Sequence, residues 1–432
     1  MNCRVLAADI LLAITRDGKS LSTTLEPALQ TLSQANDRAF VQALVYGVLR
    51  WYYRLAHLLE LMTRKPIKDD RVRMLAIIGF YQLTAMRVKP HAAVSETVSA
   101  VRETWARPLI NGLLRTYQRD SAALNARLDL EPVSATAHPA WLLERLEASW
   151  PLAFKDIIAA NNQPPPMTLR VHLGRWTQKA ALERLQEAGM MAEPGAVAPT
   201  AVRLKQAVPV SQIPGFSEGY FSVQDEAAQL AADLLNLQPQ HRVLDLCAAP
   251  GGKSAHILEA APGLKQLVAV DIAPDRLERV RENLERMGGH AALIAGDALR
   301  PEMWWDGQPF DRILVDAPCS TLGVIRRHPD IKLLRQPEDL QALFETQRKI
   351  LRSAWTMLKS GGEIVYATCS VLPLENVEVI LDFLAAHPDA IDLPITAEWG
   401  IPQRFGRQIL TGMNDMDGFY YARIGKLCDQ SA

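Results

Sequence analysis

Cysteine is scarce in this chain: five residues among 432, at Cys3, Cys247, Cys319, Cys369 and Cys428. The count is odd and no two stand at C-x-x-C spacing, which argues against a disulfide framework and against a zinc ribbon. Long apolar runs are missing too; none approaches the ~18 residues that a membrane span needs. The segment from Met1 to Asp17 is amphipathic and interrupted by Asp9, so it does not read as a secretory signal. These absences lead to the expectation of a cytoplasmic protein with reduced thiols, no membrane partner and no metal. An excess of one charge sign is also absent: 47 basic against 48 acidic residues give a net charge of -1, which by itself does not mark a nucleic-acid binder. Hydrophobic residues make up 48% and charged residues 22%, which excludes disordered and collagen-like classes.

The charge is unevenly spread. Residues 1–150 carry 19 Lys and Arg against 14 Asp and Glu, or +5, whereas residues 236–432 sum to -5. A basic front module can lie along a phosphate backbone although the whole chain is neutral; ordinary surface charge is the alternative. Length predicts roughly two to four domains. Over residues 1–128 apolar positions recur at helical spacing, as in Phe40, Leu44, Val45, Val48 and Leu49, and an all-α domain is expected. Residues 129–235 hold Pro132, Pro139, Pro151 and the Pro164-Pro165-Pro166 triplet, and predict a stiff connector leading into a small α+β element. From residue 236 strands alternate with helices: Arg242–Cys247, Leu267–Ile272, Ala291–Ala295, Arg312–Val315 and Glu363–Ala367 read as strands around a parallel sheet. The expected fold is therefore multidomain: an all-α front domain, a small α+β linker domain and a C-terminal α/β Rossmann-like domain.

The first strand of that last domain runs into Cys247-Ala248-Ala249-Pro250-Gly251-Gly252-Lys253. Small residues let backbone amides approach a ligand, and the helix start adds partial positive charge. A nucleotide phosphate and an amino-acid carboxylate both fit such a loop. A P-loop requires glycine where Cys247 stands, and the dinucleotide pattern G-x-G-x-x-G is absent. Asp271 closes the next strand at the position where a ribose diol is gripped in these folds, and Asp297 closes the third. Together they favour an adenosine ligand without phosphates, S-adenosylmethionine rather than NAD. Capping of the helices that follow is the plainer role for either aspartate taken alone.

Two cysteines end two later strands, in Asp316-Ala317-Pro318-Cys319-Ser320 and in Tyr366-Ala367-Thr368-Cys369-Ser370. A buried structural thiol is the usual reading of a lone cysteine. Here both stand at strand-to-loop junctions on the edge that should hold the ligand. A basic run follows the first: Arg326, Arg327, His328, Lys332 and Arg335 are placed to hold RNA phosphates, unless they form a solvated helix face.

The loop at Cys247–Lys253 and the two cysteine motifs together resemble the RNA cytosine-5 methyltransferases, and within them the bacterial branch acting on 16S (small-subunit) ribosomal RNA. Gly323-Val324-Ile325-Arg326-Arg327-His328-Pro329, Val223-Gln224-Asp225 and Asp417-Gly418-Phe419 add to the likeness. The front segment, with Pro90-His91-Ala92-Ala93 and Ile110-Asn111-Gly112-Leu113-Leu114-Arg115, resembles a helical antitermination-factor-like RNA-binding domain. The resemblance implies Cys369 as nucleophile at carbon 6 of cytosine, Cys319 as the group assisting release, and Asp316 on the base edge. It implies cofactor contacts from Cys247, Ala248, Ala249, Pro250, Gly251, Gly252, Lys253, Asp271, Asp297 and Asp316. The implied partner is 16S ribosomal RNA and the cofactor S-adenosyl-L-methionine; a monomer is expected. A thiolate suits this chemistry because it can add to the ring and later leave. A non-catalytic RNA-binding or assembly factor is the competing reading. A DNA cytosine methyltransferase, which takes its nucleophile from a Pro-Cys motif, is a third; Thr368-Cys369-Ser370 points away from it.

Overall fold

A computed structural model describes residues 2–428. Between residues 2 and 164 the chain is mainly helical because apolar residues recur on one face and polar caps start the segments. Asn2 accepts from the Arg4 amide, Ser20 from that of Thr23, and Asp69 from those of Arg71 and Val72, satisfying amides that a helix start leaves open. The faces so presented meet in one core; Leu11, Ile14, Val45, Val48, Leu75 and Ile78 are fully buried in it. Two of the prolines expected to mark a connector instead begin helices, whereas Pro151 lies in a turn and Pro164-Pro165-Pro166 is non-helical chain where the two units divide. Pro132 opens Pro132–Thr136 and Pro139 precedes Ala140–Ser149, positions where a missing N–H costs nothing, and Phe154–Asn161 follows.

The chain divides into two compact units. One holds residues up to Pro164 together with Ile325–Pro337; the other holds Pro165–Val324 and the chain from Glu338 on. Within the first unit Ile325–Pro337 is tied in by named bonds. Lys332 Nζ donates to the carbonyls of Arg50 (2.6 Å) and Ala137 (2.8 Å) and to Asn162 Oδ1 (3.1 Å). Arg50 Nη2 donates to the Arg326 carbonyl at 2.9 Å, and Asp330 accepts the Leu21 amide at 2.9 Å. This corrects the expectation that Lys332 and Arg326 hold RNA phosphates. Lys332 is 1% exposed and Arg326 3%. A charge-bearing side chain enters an interior when carbonyls there need donors, and three such acceptors meet Lys332. Of the same run, His328 is exposed and Arg327 half-buried.

In the second unit β1 (Met167–Val171), β2 (Ala192–Pro194), β3 (Ala201–Leu204) and β4 (Phe221–Val223) form an antiparallel sheet in the order β2-β3-β1-β4, with helix Gln178–Glu187 beside it. The larger sheet contains β5 (Arg242–Leu246), β6 (Gln266–Asp271), β7 (Ala292–Ala295), β8 (Phe310–Asp316) and β9 (Leu358–Thr368), all paired in parallel in the order β9-β8-β5-β6-β7. β5 is buried along its whole length, as a central parallel strand is. Beyond β9 the sheet turns antiparallel. Among the described residues β10 (Ala390–Asp392), β11 (Ile401–Pro402), β12 (Arg407–Ile409) and β13 (Phe419–Lys426) complete it, β13 pairing with β9. The strand order reverses between β5 and β8. Parallel α/β sheets open a crevice at that point, outside the carboxyl ends of the strands.

Candidate active site

The crevice is built by what happens at the ends of β5, β6, β8 and β9. After β5, Cys247 bends the chain with φ of 66°, and Gly251 does so again with φ of 94°. A Cβ on Gly251 would lie 2.9 Å from Val280 Cα, so only glycine admits this turn against the neighbouring helix. Helix Gly252–Ala260 starts immediately after. The loop is held from β6: the Ala248 amide donates to the Val270 carbonyl at 2.9 Å and the Ala249 amide to Asp271 Oδ2 at 3.1 Å. Beneath it Ser254 donates to Asp245 Oδ2 at 2.5 Å, while Asp245 Oδ1 is buried without a partner. Burial pushes the Asp245 carboxyl up to about 7.

Lys253, on the first turn of that helix, reaches across to Asp316 Oδ2 at the end of β8, 2.6 Å away. Burial works against its charge, but Asp316, with Cys369 and Asp245, outweighs burial and holds the ammonium above the ordinary lysine value. The chain past Asp316 pairs once more with β9, the Ala317 amide donating to the Ala367 carbonyl at 2.9 Å. Both cysteine loops then converge: Cys319 Sγ and Cys369 Sγ are 3.4 Å apart. The Cys319 thiol is pushed well up by its hydrogen bond with Cys369, then by burial, then by the charges of Cys369 and Glu375. Cys247 is also pushed up, by burial and by Asp316, Asp271 and Asp245, which keeps it a thiol.

A hollow of about 440 Å³ lies over these strand ends; Cys247, Ala249, Asp271, Asp297, Asp316, Cys319 and Cys369 all line it. The other residues of the β5 loop expected to contact the cofactor, Ala248, Pro250, Gly251, Gly252 and Lys253, are not among its lining residues. Motif residues outside the hollow brace it. The Gly323 amide donates to the Cys369 carbonyl at 2.9 Å and its carbonyl accepts from the Gly418 amide at 2.8 Å. A Cβ on Gly323 would stand 2.2 Å from the Gly418 oxygen. Asp225 accepts the Asp417 amide at 3.1 Å, and Gln224 Oε1 accepts from the buried Arg170, itself paired with Glu259.

Sequence reasoning missed several residues. Ile272 and Leu299, 68% and 40% exposed, offer apolar side chains to the hollow, as the residue directly after each strand-end aspartate or two beyond it can. Glu375, fully buried, accepts from Ser320 and Ser370, the residues that follow the two cysteines. No signal short of a fold marks a carboxylate five residues past Ser370 as one that also binds the other loop.

Comparison with known proteins decides the family. Residues 232–425 match the model for 16S rRNA methyltransferase RsmB/F, residues 138–211 that for the Methyltr_RsmF/B-like, ferredoxin-like domain, and residues 1–119 that for the NusB family. Ribosomal RNA small subunit methyltransferase B of Pseudomonas syringae pv. tomato is 47% identical over 440 residues, covering 100% of this chain and 98% of its own length. The protein of the same name from Vibrio cholerae is 46% identical, covering 99% and 98%. The chain belongs to the 16S rRNA methyltransferase RsmB/F family. The fold agrees: the solved structure of PH0851 aligns with a TM-score of 0.80 at 21% identity, covering 99% of each chain. The NusB family match lies in the helical front, the ferredoxin-like match contains β1–β3, and the methyltransferase match carries the two cysteines. Among the described residues no group of acidic, histidine and cysteine side chains could hold a metal ion, and no helix is long and apolar enough to cross a membrane.

Proposed function

We propose that this methyltransferase modifies carbon 5 of a cytosine in 16S ribosomal RNA, in the cytoplasm, taking the methyl group from S-adenosylmethionine through a covalent adduct between Cys369 and carbon 6. The observation that carries the reading is the pair of sulfurs 3.4 Å apart in a hollow that is also lined by Asp316, the partner of Lys253.

The residues present fit that cofactor. Ile272 and Leu299 leave apolar surface open to a planar base, a use that explains why such large side chains stay in solvent. Asp271 and Asp297 each keep acceptor capacity at the pocket while bonding the Ala249 and Leu299 amides, respectively. When bound, the cofactor supplies an electrophilic methyl group. The chain's own part is then as follows. Cys369, as thiolate, adds to carbon 6, and the ring's electron pair moves to carbon 5. Asp316 meets the polar edge of the base, and Lys253, 2.6 Å from its Oδ2, keeps it aimed. Carbon 5, once methylated, gives up its proton to a water molecule; the electrons of that C–H bond re-form the ring double bond as the bond between carbon 6 and Cys369 breaks, and the electrons of the C–S bond return to sulfur. Cys319, held as a thiol, stands 3.4 Å from the departing sulfur and can hydrogen-bond it. The target base must leave its stack to reach this depth, which favours a single-stranded loop of the RNA. Of the basic run, Arg327, His328 and Arg335 are the members that are not buried, and these are assigned to phosphate contact.

The deciding experiment maps 5-methylcytosine in 16S ribosomal RNA from cells lacking the gene and incubates that RNA with the pure protein. One missing cytosine mark, restored in vitro, is expected. An unchanged 5-methylcytosine map would end this reading.

A further inference from the structure

Both cysteine loops hang on one carboxylate. Glu375 sits in the short turn Pro373–Glu375, after the Cys369 loop, and is fully buried. Its Oε1 accepts the Ser320 amide at 2.7 Å and Gln347 Nε2 at 3.1 Å. Its Oε2 accepts the hydroxyl of Ser320 and, at 2.5 Å, that of Ser370. Gln347 Nε2 also donates to the Pro318 carbonyl at 3.0 Å, so the residues on both sides of Cys319 are held. The two serine oxygens are themselves 3.2 Å apart.

These four donors are a backbone amide, a side-chain amide and two hydroxyls; none is a cation. Burying a carboxylate without a cation is costly, and a neutral side chain would join two loops at lower cost. What a carboxylate adds is that it only accepts. Every donor must point at it, so the orientation of both serines is single-valued. Ser370 shows this: its hydroxyl donates to Glu375 while its oxygen accepts the Leu372 amide at 3.1 Å. A second frame supports the same loop from behind, where Asn376 Nδ2 and Gln408 Nε2 each donate to the Ser370 carbonyl at 3.1 Å. That frame touches the Cys369 loop alone. Glu375 touches both.

We propose that Glu375 is a positioning residue for catalysis: by gripping Ser320 and Ser370 together it sets the separation of the Cys319 and Cys369 sulfurs. The proposal deepens the two-cysteine reading above and rests on it. Its test therefore includes a readout independent of methylation. Diamide accepts the two thiol hydrogens of a neighbouring cysteine pair and leaves a disulfide. The rate of Cys319–Cys369 disulfide formation, followed by peptide mass spectrometry on the full chain, reports how well the sulfurs are juxtaposed.

Glu375→Ala is expected to slow that rate about tenfold and to lower kcat ~10²-fold, as loss of alignment by about 1 Å does, with KM for RNA unchanged. Glu375→Gln, which keeps one acceptor oxygen but turns a donor toward the other pair of donors, is expected to recover only part of both. The double variant Ser320→Ala/Ser370→Ala retains the carboxylate and removes its hydroxyl donors. It decides the matter if Glu375→Ala does not fold, and should slow the disulfide likewise. Wild-type disulfide rates in the folded variants overturn the proposal. Wild-type protein that forms the disulfide rapidly but makes no 5-methylcytosine overturns the functional reading and leaves the clamp to be judged on the disulfide rates alone.

Discussion

Lys253 Nζ stands 2.6 Å from Asp316 Oδ2, joining the first turn after the β5 loop to the end of β8, the strand that leads into Cys319. The pair is largely shielded, at 13% and 28% exposure, so its geometry is held rather than averaged by solvent. Lys253→Met should leave Asp316 unaimed and cut single-turnover methylation by ~10²-fold or more, the usual worth of a positioned acid or base. Lys253→Arg should not restore it, because a planar fork does not replace a point donor. Rapid-quench assays with saturating RNA would check both.

On the proposed mechanism the cysteine pair divides the reaction in two. Cys369→Ala is expected to abolish methyl transfer and to give no covalent complex. Cys319→Ala should still attack and methylate but fail to release, accumulating a protein–RNA band that migrates slowly on a denaturing gel. An active Cys369→Ala together with an adduct-free Cys319→Ala would reverse or void these roles.

Asp245 makes stability depend on pH. Its folded value, about 7, lies above that of an exposed aspartate, so between those values the native state holds a proton that the unfolded chain has released. Its contribution is therefore fully present at low pH and is lost as pH rises through about 7. Asp245→Asn mimics the protonated form. Relative to wild type, the Tm of this variant should gain steadily as pH is raised from about 5 to about 8 in calorimetric scans. A constant offset between the two proteins would contradict the assignment.

Lys332 supports the helical unit. Lys332→Met leaves three buried oxygen acceptors without their donor and should cost about 2–4 kcal/mol in denaturant unfolding of the full chain. The salt dependence of RNA binding should not change, whereas removing a phosphate contact lowers the slope of log K against log[salt] by about one. A reduced slope with unchanged stability would return Lys332 to the RNA surface.

Much of the site could be read before any fold was known. The small-residue turn at Cys247–Lys253, the strand-end aspartates Asp271 and Asp297, and the cysteines at 319 and 369 are local signals: each follows a strand-like run and precedes a loop. The prolines at 132 and 139 misled because a proline breaks or begins a helix according to what precedes it, and only packing of the following turn decides which. Arg326 and Lys332 misled for a related reason. A basic run looks the same whether its acceptors are phosphates or the carbonyls of Arg50, Ala137 and Asn162.

By itself the amino-acid order determined the alternation of strands and helices, and with it the ends at which a ligand would be met, since periodicity and loop composition are properties of neighbours in the chain. It determined which side chains could do thiol chemistry. Tertiary structure alone decided that two sulfurs 50 positions apart come within 3.4 Å, that Lys253 answers Asp316, and that Glu375 serves both loops. Those relations arise where β5, β8 and β9 lie side by side. Strand pairing across a sheet is settled by the packing of the whole domain, and no local stretch of chain encodes it.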